Sequence, residues 1–295
     1  MPSIERILCP VDLSDASRRA FDYALTLAQV HEAELWAIQV VDLAAWTGAR
    51  AGALFEVTEA MRTALEEELG WWTARAMKGQ TGVIIKLIEG PVVPSIVEAA
   101  DRADTDLIVM GSHGKTGFER LALGSVTEKV LRKAACPVLV VPAAAEAHVR
   151  VAPARRIVCA TDFSSPAAHA VEYARLFARA ARAPLSLMSV VEWPFGETTG
   201  TDPVTQLRHS LEQEAADTLN RLAAEGDDET PCEIVVRRGK PGREIVKYAA
   251  ESQADLIVVG ISGRGAVDLA VLGSTAHQVL RDAPCPVLAV PASSS

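Results

Sequence analysis

Two stretches decide the fold. The first is DLIVMGSHGKTGFERLALGSVTEKVLRKAACPVLVVP, Asp106 to Pro142. The second is DLIVVGISGRGAVDLAVLGSTAHQVLRDAPCPVLAVP, Asp255 to Pro291. Aligned without gaps, 19 of 37 positions are identical, so the chain is a tandem duplication with an offset of 149. The starts match as well: RILCPVDLS (Arg6 to Ser14) against RIVCATDFS (Arg156 to Ser164), followed by Tyr23-Ala24 against Tyr173-Ala174. Domains are therefore expected at 1–142 and 155–291. The Ala-rich stretch 143–154 between them reads as a linker.

Short apolar runs alternate with longer amphipathic ones. In the first repeat Arg6–Pro10, Glu34–Val41, Val83–Glu89, Leu107–Met110 and Pro137–Val141 read as strands. Helices are expected from Ser14 or Asp15 to about His31, over Thr58–Lys78, over Pro94–Ala103 and over Ser125–Ala135. The second repeat has strands near Arg156–Ala160, Pro184–Val191, Glu233–Arg238, Leu256–Val259 and Pro286–Val290. This βαβ alternation predicts two tandem α/β units, each a doubly wound parallel sheet with helices on both faces.

In such sheets ligands bind beyond the carboxyl ends of the strands. There the first repeat carries Gly111 and Gly114, then nine residues, then Gly124-Ser125. The second carries Gly260, Gly263 and Gly273-Ser274 at the same spacing, although the nine intervening residues mostly differ. Fixed glycines in a free sequence point to a backbone requirement: positive φ, or close approach of a ligand to the main chain. Gly124-Ser125 opens a helix, whose first N–H groups suit a phosphate. The competing reading is that the glycines shape a turn and Ser125 is a cap. Asp12 and Asp162, after the first strand of each repeat, suit ribose hydroxyls or a base amine; otherwise they cap a helix. Val40 and Val190 end the second strands and could offer backbone groups to an adenine edge.

These residues resemble the universal stress protein family: G-2x-G-9x-G-[S/T] after an apolar strand, with P-x-D or T-D after the first strand. The motif is complete twice and the resemblance covers nearly the whole chain. It implies strand order 3-2-1-4-5, adenine nucleotide binding in one subclass of the family, and dimerisation; for this chain ATP or another adenine nucleotide with Mg²⁺ is the expected ligand. Carried over, it places Pro10, Val11, Asp12, Val40, Gly111, Gly114, Gly124, Ser125 and Val126 at a nucleotide. In the second repeat it places Ala160, Thr161, Asp162, Val190, Gly260, Gly263, Gly273, Ser274 and Thr275 there. Ala160 for Pro10 and Thr275 for Val126 argue against equal affinity at the two sites. The apolar last strands, CPVLVVP and CPVLAVP, are expected to pair with each other, and a homodimer is expected beyond that.

Other motifs fail. Gly114-Lys115-Thr116 is not a Walker A loop, because Val109 stands where the first glycine belongs. Lys115 and Arg264 could still neutralise phosphates. No metal-ligand spacing, nucleophile elbow or evident general base occurs, and His113 is matched by Ser262. Trp46 is expected near the adenine side. The five cysteines, in or beside apolar runs, read as buried reduced thiols.

With 38 acidic and 29 basic residues, the net charge of −9 argues against nucleic acid as partner. The absence of a long uncharged apolar run argues against a membrane span, and MPSIERILCPVD does not read as a secretory signal. A cytoplasmic protein is expected. Its leading function is nucleotide-dependent stress regulation; the alternative is a non-nucleotide scaffold or chaperone-like binder of the same fold.

Overall fold

The computed structural model describes residues 2–42, 55–77, 82–114, 123–142, 154–193, 203–226, 230–261 and 272–292. The chain divides into two compact units, Ser3–Ala143 and, with Met1–Pro2, Ala144–Ser295.

The first unit runs β1 (Arg6–Pro10), α1 (Asp15–His31), β2 (Glu34–Val41), α2 (Phe55–Met77), β3 (Val83–Glu89), α3 (Val92–Arg102), β4 (Leu107–Gly111), α4 (Ser125–Leu131) and β5 (Val138–Val141). Its strands pair in parallel in the order β3-β2-β1-β4-β5. The second unit repeats the plan with β6 (Ile157–Ala160), α5 (Ser165–Ala181), β7 (Leu185–Val191), α6 (Pro203–Ala224), β8 (Cys232–Arg238), α7 (Pro241–Glu251), β9 (Leu256–Gly260), α8 (Ser274–Asp282) and β10 (Val287–Val290). Its order is β8-β7-β6-β9-β10. In each unit the first strand is central and the order reverses beside it, which opens a crevice between the carboxyl ends of strands one and four.

Burial follows position in the sheet. The central strands are apolar on both faces: Ile7, Leu8, Cys9, Ile108 and Val109 in the first unit and Ile157, Val158, Cys159, Ile257 and Val258 in the second are fully buried. Helix α1 shows Ala20, Phe21, Ala24 and Leu27 to that core. Phe21 meets the ring of Trp72 from α2, and the Arg18 guanidinium lies 3.7 Å over that ring. Trp71, its neighbour, is 79% exposed.

Several element ends differ from the sequence reading. Helix α3 starts at Val92, before Pro94, because a proline in the first turn forfeits no intrahelical N–H bond. Helix α4 stops at Leu131 rather than near Ala135. Its last turn tightens, with Lys133 N–H donating to Val130 O, and Pro137 disfavours helical backbone at Cys136. The reading of every cysteine as buried also fails at two positions: Cys136 is only partly buried, and Cys232 opens the edge strand β8 and is exposed. Cys9, Cys159 and Cys285 are buried, and burial pushes the last two thiols up to about 12.

At the amino end of β7 and β8, Glu233 Oε1 accepts hydrogen bonds from Ser186 Oγ (2.6 Å) and the Tyr248 hydroxyl (2.8 Å). The Ser186 bond, then the Tyr248 bond, holds this carboxyl below its ordinary value of 4.5. A depressed folded-state pKa gives stability that is present above the unfolded value and lost as pH falls through the folded one. Glu233→Gln should therefore lower stability at neutral pH. The loss should be small, roughly 0.5 kcal/mol, because the group is exposed and screened. The gap to wild type should close on acidification below the ordinary carboxylate range. Urea unfolding of both proteins at a series of pH values measures it; a gap constant with pH would remove the ionised carboxylate as its source.

Candidate functional site

The site is built where β1 and β4, and in the second unit β6 and β9, run out. After Pro10, Val11 N–H donates to Ile38 O at 2.8 Å and ends the pairing with β2. The chain then turns sharply through Leu13 at φ +63°. Asp12 Oδ1 accepts from Ser14 N–H at 3.1 Å, and Ser14 caps α1 by accepting from Ser17 N–H at 3.2 Å. The second unit repeats this turn. Thr161 N–H donates to Met188 O at 2.8 Å, Phe163 sits at φ +64°, and Asp162 Oδ1 accepts from both Ser164 N–H and Ser164 Oγ. Neither aspartate is a helix cap: the serine two residues on caps the helix, and the aspartate braces the turn. Holding a side chain in the left-handed region costs about 1 kcal/mol or more, so these turns are enforced by their surroundings.

Val40 gains a role from strand parity. Backbone groups point to alternate sides along a strand. Ile38 O faces β1, so Val40, two residues on, directs its N–H and C=O to that same side, past the end of β1. Val190 stands in the same relation to Met188 and β6.

The motif glycines act by closeness. None of Gly111, Gly114, Gly124 or Gly260 adopts positive φ, which corrects half of the expectation; the described glycines that do are Gly82, before β3, and Gly90 and Gly239, after β3 and β8. A Cβ on Gly111 would lie 3.1 Å from the Ala16 carbonyl carbon and oxygen, and one on Gly260 would lie 3.2 Å from Pro166 O. A Cβ on Gly114 would lie 2.6 Å from Asp12 Oδ2, so the glycine loop rests against the Asp12 carboxylate. A Cβ on Gly124 would lie 2.9 Å from Ser112 O, which also accepts from Gly124 N–H at 2.8 Å. Gly273 N–H bonds to Ile261 O at the same 2.8 Å. These bonds staple the strand exit to the helix start.

Gly124 and Gly273 are the N-caps of α4 and α8, and neither helix has a side-chain cap. Ser125 and Ser274 are thus first helical residues, exposed, and not caps. Val126 and Thr275 follow, half-buried. Thr127 Oγ1 donates to Gly111 O at 2.9 Å and ties α4 to β4. His113 lies between the glycines with Nδ1 2.9 Å from Ser112 Oγ. Gly263, Lys115, Arg264, Ser262 and Trp46 lie outside the described residues.

In the second unit these pieces surround one cavity of about 900 Å³, within the range usual for small-molecule sites. Ala160, Thr161, Asp162, Val190, Gly260, Gly273, Ser274 and Thr275 all line it. The sequence reading missed its outer wall: Leu211, Glu214, Ala215 and Thr218 on α6, with Glu192 beyond β7 and Ile245 on α7. The 211-214-215-218 spacing is that of one helix face and could have been found by asking which face of α6 meets the sheet. Three carboxylates, Asp162, Glu192 and Glu214, line the cavity, and none of its described lining residues is basic. Any polyphosphate here would be held by backbone N–H groups and a helix terminus. Among the described residues no group of three or more His, Cys, Asp or Glu side chains could hold a metal alone. Asp162, Glu192 and Glu214 are the cavity carboxylates that, with water, could complete the shell of a phosphate-bound Mg²⁺ ion.

Among the described residues no helix is long and apolar enough to cross a membrane. The model of the universal stress protein family matches residues 3–142 and again 153–291. A universal stress protein of Methanocaldococcus jannaschii is 41% identical over 140 residues, 46% of this chain and 81% of that protein. One of Mycobacterium tuberculosis is 32% identical over 206 residues, 69% of this chain and 67% of that one. A crystal structure of a universal stress protein from Archaeoglobus fulgidus, 24% identical, superposes with a TM-score of 0.69 over 97% of this chain and 98% of that one, which shows the shared fold.

Proposed function

The chain belongs to the universal stress protein family, and from that premise we propose that it binds ATP or another adenine nucleotide, with Mg²⁺, at the glycine-loop site of one or both units. Binding would set a conformation or partner interaction in a stress response, so the protein is a regulator rather than a fast catalyst. We place it in the cytoplasm, as a homodimer, acting on neither nucleic acid nor membrane.

The observation that carries this reading is the second cavity. It gathers a turn-bracing aspartate, a strand end with backbone groups directed past β6, and a helix N-terminus without a side-chain cap. These match a ribose, a base edge and a phosphate in that order. The roles follow from the chemistry. Asp12 and Asp162 accept from ribose hydroxyls. Val40 and Val190 face the base. Gly111, Gly114, Gly260 and Gly263 let the ligand approach the main chain, and Gly124, Ser125, Val126, Gly273, Ser274 and Thr275 hold phosphates. Pro10, Val11, Ala160 and Thr161 shape the wall beneath.

One observation favours the alternative, a ligand that is not a polyphosphate: the carboxylate-rich lining of that cavity. The deciding experiment denatures freshly purified protein, identifies any released small molecule by chromatography, and titrates the refilled or empty protein with ATP and Mg²⁺ by calorimetry. Released adenine nucleotide, or saturable ATP binding weakened at least tenfold by Asp12→Ala and Asp162→Ala together, is the expected result. No released nucleotide and no ATP binding would overturn the reading.

A further inference from the structure

Gln39 lies in β2, one residue before Val40, and is only 7% exposed. Among the described residues its Oε1 has no hydrogen-bond partner. The other unit shows what this position faces. Cys9 is in register with Ala37, and Cys159 with Leu187, so Ala37 matches Leu187 and Gln39 matches Ser189. Ser189 lines the second cavity. Gln39 is thus a buried amide with an unsatisfied acceptor at the position that, in its twin, borders the ligand space.

Such an atom is costly. A buried polar group without a partner loses its hydration and gains nothing, whereas an apolar side chain of similar shape removes the penalty. Leu35 and Ala37 precede it on the same face of β2 and are buried, so that face accepts apolar groups. The missing partner is a hydrogen-bond donor. Glutamine pairs well with the adenine edge because its amide sets an acceptor beside a donor, matching an exocyclic amine beside a ring nitrogen.

We propose that Gln39 is a base-reading residue of the first unit: its Oε1 accepts from the exocyclic amine of a bound aminopurine, giving this unit a base preference that does not depend on Ser189 in the second. The inference rests on the nucleotide reading above. A site that hydrogen-bonds a ligand group rejects the analogue lacking it, because its own buried atom is then left unpaired.

ATP and purine riboside triphosphate differ at this one group, an amine against a hydrogen, with N1 an acceptor in both. Calorimetry on the full chain carrying Thr218→Trp, which fills the second cavity, reads the first unit alone. ATP should bind at least tenfold more tightly than purine riboside triphosphate. Gln39→Leu should bring ATP to the level of that analogue while raising the melting temperature of the ligand-free protein. Gln39→Ser, which installs the residue the twin folds with, should also erase the preference. A ratio of the two affinities unchanged in both variants would overturn the proposal and leave the nucleotide reading standing. Absence of binding of either triphosphate to the protein with neither substitution would overturn both.

Discussion

Gly124→Val should abolish nucleotide binding in the first unit and destabilise that unit by about 2 kcal/mol, within the range for overpacking a tight site. The new Cβ would stand 2.9 Å from Ser112 O and 3.3 Å from His113 Cα, both main-chain atoms. Neither can rotate away, so the exit of β4 and the start of α4 must separate. That movement breaks the 2.8 Å bond from Gly124 N–H to Ser112 O and displaces the first turn of α4, where the proposed function puts the phosphates. Urea unfolding and an ATP titration measure the two effects. Wild-type values in both would show that the loop tolerates a side chain and that its glycines have another purpose.

The second large effect separates site from fold. Thr218 lines the cavity from α6 and is half-buried at its outer wall. Thr218→Trp puts an indole into the ligand space, while the helix exchanges one moderate helix former for another. Affinity at the second site should fall more than 100-fold with the melting temperature changed by no more than roughly 2 °C, as expected of a substitution at an outer wall. Where both units bind ATP in the wild type, the calorimetric stoichiometry should fall from two to one. A stoichiometry of two in the variant would show that this cavity is not where the nucleotide lies.

The fold was legible because the chain states it twice. Strand β1 and strand β2 were read to the residue, since short apolar runs that give way to Asp12 and Asp42 leave little freedom. Helix ends were less legible. The end of α4 depends on a tertiary turn before Pro137 rather than on the propensities of Lys133 to Ala135. At the candidate site, residues singled out by the repeat, Gly260, Gly273 and Asp162, line one cavity. What the sequence could not separate was glycine needed for φ from glycine needed for space. That distinction lies in the Ala16 and Ser112 backbone, distant in sequence from Gly111 and Gly124 respectively. Glu214 and Thr218 were missed because they line that cavity only through the packing of α6 on β7. Gln39 passed as one more strand residue, since nothing in a sequence shows that a buried amide has no partner.

The carboxylate lining of the second cavity carries a consequence for thermodynamic linkage. A polyphosphate that enters a space bearing Asp162, Glu192 and Glu214 adds anion to anion, and the described walls offer no basic side chain in compensation. On the proposed nucleotide reading, the complex would recruit cations from solution as it forms. In an arginine-lined pocket, dissolved salt competes with the pocket's own charges; here a divalent ion would act as a co-ligand, and affinity would rise with its free concentration. Occupancy of such a unit would follow the product of two cellular concentrations, nucleotide and divalent cation, and respond to a fall in either.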